Sequence, residues 1–187
     1  MSLYAPQNQQ AIDVRLRPAT VADAPMLAAW DREPHVIACS SDDAEAEVAF
    51  GGEIDWTDEL GSSAYELDYR IAEVEGRPVG VLAICDPHTE PSHYWGEIEP
   101  NLRAIDIWIG PKEWLNRGVG TVMMSRIIDE CFAAPEVTGI VIDPLNSNVA
   151  AHRFYRRLGF VAEGRRMFED DDCLVHRLTR TDWEKGA

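Results

Sequence analysis

The stretch from Leu102 to Phe132 constrains the fold more than any other part of this 187-residue chain. Leu102–Ile109 is an apolar run of strand length broken by one acid, Asp106. Asn116-Arg117-Gly118-Val119-Gly120-Thr121 follows as a glycine-bearing turn, and Val119–Phe132 then carries apolar residues at helical spacing. A buried strand feeding a helix must pack that helix back onto its own sheet, which already specifies an α/β chain. Glycines at the junction let backbone approach a ligand closely, and the first-turn N–H groups of the helix favour an anion such as a phosphate. Read alone, the same glycines are also ordinary turn chemistry. The loop is not a Walker motif, because no Gly-Lys-Ser/Thr follows, and a dinucleotide fingerprint needs a third glycine.

Around this segment the pattern reads β-α-(α)-β-β-β-α-β-α-β-β. Val14 and Leu16 alternate with arginines in a first strand ended by Pro18. Thr20 and Asp23 resemble a capping box ahead of Met26, Leu27 and Trp30 on one helical face. Asp42–Phe50 is expected to be helical. Tyr65–Val74 and Val79–Cys85 form a hairpin through Glu75-Gly76-Arg77-Pro78. Val137–Ile142 is a further strand and Val149–Leu158 a helix closed by Gly159. Phe160–Phe168 and Cys173–Leu178 make a last hairpin around the acidic turn Glu169–Asp172. One domain spanning 1–187 is expected, with residues 1–11 a flexible polar segment.

Seventeen basic and 33 acidic residues leave a formal charge of −16, which argues against nucleic acid or anionic membrane as the main partner and leaves open a cationic substrate. Eleven of the acids fall between Glu33 and Asp68, where no Lys or Arg occurs. No apolar run reaches the ~20 residues of a membrane span and no leader pattern opens the chain, so a cytoplasmic location is expected. Cys39, Cys85, Cys131 and Cys173 show no paired spacing and are expected to be free, and the histidines match no zinc pattern, so no metal is expected. His152 reads as a surface residue.

After the strand Val137–Ile142 comes Asp143-Pro144-Leu145-Asn146-Ser147-Asn148, then Ala151-His152-Arg153-Phe154-Tyr155 and Leu158-Gly159-Phe160. The pattern N-x-x-A-x-x-F-Y-x-x-x-G-F, about thirty residues beyond the glycine turn, resembles the GCN5-related N-acetyltransferase (GNAT) superfamily. The resemblance implies an α/β GNAT fold: a mixed, mostly antiparallel twisted sheet with splayed central parallel strands, flanked by helices. It further implies acetyl-CoA as acyl donor, its pyrophosphate on the amides of Arg117, Gly118, Val119, Gly120 and Thr121, its pantetheine between the splayed strands and against Asn148, and Tyr155 as the acid that protonates the departing thiolate. Leu115 stands where the family often has Gln or Arg. Backbone N–H groups near Ile107 and Ile109 would stabilise charge developing on the thioester oxygen.

Glu97–Asp106, with Asp143, Asn146 and Asn148, is similar to the aminoglycoside 6'-N-acetyltransferases. That likeness implies Asp106 as general base and Glu97, Glu99 and Asp143 as anchors for substrate ammonium groups. Ala38-Cys39 and His93-Tyr94 replace two aromatic pairs of that group, with Trp56 and Trp95 as candidate substitutes. The segment Ile109–Gly120 also resembles acyltransferases acting on hydroxylated amines in siderophore synthesis. The expectation is a monomeric or homodimeric N-acetyltransferase for a small cationic amine of aminoglycoside type. The alternatives are a siderophore acyltransferase and a non-catalytic acetyl-CoA sensor.

Overall fold

The computed structural model describes residues 12–52, 54–62 and 67–186. Seven strands form one sheet: β1 (Val14–Pro18), β2 (Asp68–Val74), β3 (Arg77–Cys85), β4 (Leu102–Ile109), β5 (Gly139–Ile142), β6 (Val161–Phe168) and β7 (Asp171–Thr179). Their spatial order is β1-β2-β3-β4-β5-β7-β6, and every neighbouring pair is antiparallel except β4 and β5. That parallel pair needs a crossover, which α4 (Val119–Ala133) supplies.

Strand alternation sorts the core. Leu82, Ile84, Ile105, Ile140 and Ile142 point to the face covered by α4 and α5 (Val149–Arg157), meeting Met123, Met124, Ile127 and Tyr155. The intervening Ile71, Val81 and Trp108 point to the other face, under α1 (Ala24–Trp30), α2 (Pro34–Ser40) and α3 (Trp56–Gly61), where Leu27, Trp30, Val36 and Trp56 are buried. A third cluster on that second side joins Trp95, Ala104, Val141, Leu145, Phe168 and Cys173. Gly110 has a steric reason: a Cβ there would lie inside the Trp30 ring. Asp23 accepts from the Thr20 N–H (2.8 Å) and hydroxyl (3.0 Å) and takes both ends of the Arg17 guanidinium, so the Thr20–Asp23 turn forms where the sequence signals it.

Three expectations change. The helix expected over Asp42–Phe50 is absent; only a short 3-10 turn, Phe50–Gly52, forms there. Four acids with no basic partner would repel one another on a helix, and Asp43 instead caps a turn by accepting from the Glu45 N–H (2.9 Å). The helices lie on either side: α2 begins at Pro34, which suits a first helical position, and α3 is capped by Asp55. His152 is buried rather than surface-facing, donating to the Asn146 carbonyl (3.1 Å) and stacked on His176, because it lies one helical turn from the buried Tyr155. A final helix, α6 (Arg180–Gly186), follows β7. All four cysteines are free. The expected strand start at Tyr65 and residues 1–11 lie outside the described residues.

Candidate active site

The site is built on a fork. β4 pairs with β5 only through Leu102↔Gly139, Arg103↔Ile140 and Ala104↔Val141, although β4 continues, paired to β3, as far as Ile109. Beyond Ala104 no described strand pairs with β4 on the β5 side, so the two strands diverge. Asp106 lies two residues past Ala104 and Asp143 two residues past Val141. Equal offsets keep both acids on the same face as those residues, the one turned away from α4 and α5. Two carboxylates 37 positions apart in sequence therefore meet at the mouth of the fork.

Their electrostatics follow from this crowding. Asp106 is open to solvent, yet the surrounding protein still acts on its carboxyl. Burial first, and the neighbouring Asp143 second, push its carboxyl up to about 7. Asp143 is also raised by burial, and is held back by a hydrogen bond that the Tyr94 hydroxyl donates to its Oδ2 at 2.7 Å. Like charges so placed cannot both ionise freely. Tyr155, 7% exposed at the end of α5, stays protonated: burial, then Asp106 and Asp143, raise its phenol above the ordinary value.

The glycine turn fits an anion. Asn116 (φ 58°) and Gly118 (φ 84°) are both in the left-handed region, no side chain caps the start of α4, and a Cβ on Gly118 would meet nothing. The first-turn amides of Val119, Gly120 and Thr121 lack intrahelical partners. Arg117 is exposed, its guanidinium 5.3 Å from the Trp114 ring. A Cβ added to Gly120 would come to 3.6 Å of the Phe154 ring, so the start of α4 faces α5. The geometry suits a long ligand with its phosphates on this loop and its thioester end in the fork, as acetyl-CoA requires. The side chains of Ile107 and Ile109 pack toward the α4 core. The carbonyl of Ile109 accepts from His35 Nε2 (2.9 Å), which fixes α2 at the far end of β4.

Other expected site residues have different surroundings. Asn148 caps α5 by accepting from the Ala151 N–H (3.0 Å), and its side chain opposes the rise that burial causes at the Cys39 thiol. Glu99 is ion-paired to Arg177, a guanidinium it shares with Glu163. Glu97 is exposed in the loop before β4. From the acid-only stretch, Asp42 approaches the site, accepting from the Ser147 hydroxyl (2.5 Å).

The aromatic substitutes resolve as well. Trp56 (2% exposed) and Trp95 (4%) are core residues, and the ring offered to solvent beside the acids is Tyr94, 43% exposed. It is stacked on Phe168 at 4.7 Å. Sequence reasoning missed α2 and the pairing of Tyr94 with Asp143. The Pro at position 34 was the available signal for α2; nothing local indicated the pairing.

Comparison with known proteins identifies the family. A family model described as an acetyltransferase (GNAT) domain matches residues 19–168. The aminoglycoside N(6')-acetyltransferase type 1 of Klebsiella pneumoniae is 26% identical over 92% of this chain and 86% of its own length. The lysine N-acyltransferase MbtK of Mycobacterium tuberculosis is 28% identical over 74% of this chain and 64% of its own. The solved structure of AAC(6')-Ib in complex with ribostamycin and coenzyme A superposes with a TM-score of 0.81 at 27% identity, covering 92% of this chain and 97% of that one.

Proposed function

This chain belongs to the GNAT acetyltransferases and is an N-acetyltransferase, and we propose that its acceptor is a small polycationic amine of the aminoglycoside type. The observation that carries this reading is the carboxylate pair at the mouth of the fork, flanked by the exposed ring of Tyr94. Two acids attract ammonium groups and a flat aromatic ring suits a sugar face. The likeness to enzymes named for aminoglycosides supports the same class, and the −16 charge raises the local concentration of a polycation.

Acetyl-CoA, when bound, supplies an activated acetyl thioester. The residues that would hold it are the amides of Arg117 to Thr121, with the fork edges of β4 and β5 on either side of its arm. An ammonium group must lose a proton before its nitrogen can attack, and Asp106 is the acceptor for that proton. A carboxyl near 7 is well matched to this work at neutral pH. Asp143 holds the acceptor's charge beside it. Tyr155, kept protonated by its surroundings, gives its proton to the departing thiolate. Holding both reactants in one cleft contributes several kcal/mol through proximity.

A second reading is favoured by one feature. Arg166 acts on Asp143 from β6, and a lysine-type acceptor, as the name MbtK indicates for that relative, would bring a carboxylate for such a cation. Thiol release from acetyl-CoA tests both readings, with kanamycin, ribostamycin, lysine and hydroxylated diamines as acceptors. Saturable turnover on aminoglycosides, lost in Asp106→Asn, is the expected result. Turnover on lysine or the diamines alone would replace the first reading with the second.

A further inference from the structure

The loop between β3 and β4 is held at three points around Tyr94. Glu90 accepts from the Ser92 N–H (2.7 Å) and the Tyr94 N–H (3.1 Å). Arg166 donates to the Trp95 carbonyl (2.6 Å). The Tyr94 ring is stacked on the buried Phe168 at an interplanar angle of 13°, and Arg166 lies 4.7 Å from the centre of the same Phe168 ring. These anchors leave the Tyr94 hydroxyl one partner, the Oδ2 of Asp143. A loop residue with an exposed ring would not need such fixing merely to cover a surface.

We propose that Tyr94 is a positioning residue that decides which member of the acid pair carries a proton: its hydroxyl keeps Asp143 as the standing anion and leaves Asp106 as the proton acceptor. Asp106 and Asp143 each lie two residues beyond the last pair of the fork, Asp106 within β4 opposite Ala83 of β3 and Asp143 just past the end of β5, where a backbone N–H adds to the bond from Tyr94. A hydrogen bond donated to a carboxylate favours its ionised form. Asp143 receives one from Tyr94, and burial and repulsion are the causes that act on Asp106.

The other groups facing Asp143 are Arg166 from β6, which favours its charge, and Asp171 from β7, which opposes it. Asp143 in turn acts on Cys85 of β3, Cys173 of β7 and Tyr155 of α5. Arg166 is the only cation in this set, and it already donates to the Trp95 carbonyl.

This inference rests on the acetyltransferase reading for its use in catalysis, but its test does not need turnover. Tyr94→Phe keeps the ring and its stacking and removes only the hydroxyl, so the fold is retained, which a thermal melt checks. Carbon-13 NMR of protein labelled at the aspartate carboxyls, with the two signals assigned through Asp106→Asn and Asp143→Asn, follows each acid across pH. In the native protein the Asp143 signal stays at its ionised position while Asp106 titrates. In Tyr94→Phe the Asp143 signal titrates with Asp106, its midpoint raised by about one pH unit, and the acidic limb of kcat/KM moves upward in pH while the alkaline plateau holds. An Asp143 midpoint unmoved by the substitution would overturn the proposal whatever the activity. A moved midpoint in a protein that acetylates none of the amines tried would uphold the ordering of the pair and count against the acceptor reading instead.

Discussion

Replacing Asp106 with Asn should abolish acetylation and, at the same time, make the protein more stable above neutral pH. The carboxyl rises from 3.8 to about 7 on folding. It binds its proton more tightly in the native state, so its favourable contribution is complete below pH 3.8 and is lost as pH climbs through about 7. At pH 8 the native protein therefore carries an ionised acid that burial and Asp143 both oppose, and asparagine removes it. At about 1.4 kcal/mol per pH unit the full shift would be worth roughly 4 kcal/mol. Solvent reaches this carboxylate, however, and screening cuts the figure to about 1–2 kcal/mol. Denaturant melts of both proteins at pH 8, 7, 6 and 5 read it out. The variant should lead by that amount at pH 8, with the gap closing as the pH falls. Turnover of the variant, followed by thiol release, should drop by about 10²–10⁴. In the unmodified enzyme kcat/KM should fall about tenfold per pH unit below 7. A variant less stable than its parent at pH 8, or a gap that does not change with pH, would refute the account of a crowded, like-charged pair.

Tyr155→Phe should lower kcat by about 10²-fold or more with little change in coenzyme A affinity by calorimetry, because the phenol's task is to protonate the leaving thiolate; comparable loss in both would give Tyr155 a packing role alone. Gly110→Ala should cost about 1–3 kcal/mol or more in a thermal melt, since the added methyl overlaps the Trp30 ring and two elements must move apart. Asp23→Asn should remove about 2 kcal/mol at pH 7: Arg17 first, and then Thr20, hold the Asp23 carboxyl down at about 2. That stability is present above pH 3.8 and lost as pH falls toward 2, so parent and variant should converge in acid melts.

Much of the architecture was legible because local pattern has local causes. The glycine turn between β4 and α4 is visible because only glycine takes the left-handed conformation of Gly118 without strain, and the run Ile105–Ile109 announces a buried strand by its composition. The last hairpin appeared with its turn at Glu169 and Asp170, two acids that β structure disfavours. Asp42–Phe50 misled because its apolar spacing allows a helix, and only the absence of any compensating base argued against it.

What the sequence determined by itself was the kind of chain: which segments are strands or helices, where an anion is welcome, and which motifs align with a GNAT enzyme. What the tertiary structure decided was who meets whom. Asp106 and Asp143 share a face because parallel pairing stops at Ala104 and Val141. Glu99 faces Arg177 because strand register set that guanidinium beside it. Tyr94 gained its place because Phe168, arriving from a strand 74 positions later, gave its ring something to stack on. Side-chain periodicity depends on a few neighbouring residues, but the register between strands depends on closing long loops, and no short window of sequence contains both ends of such a contact.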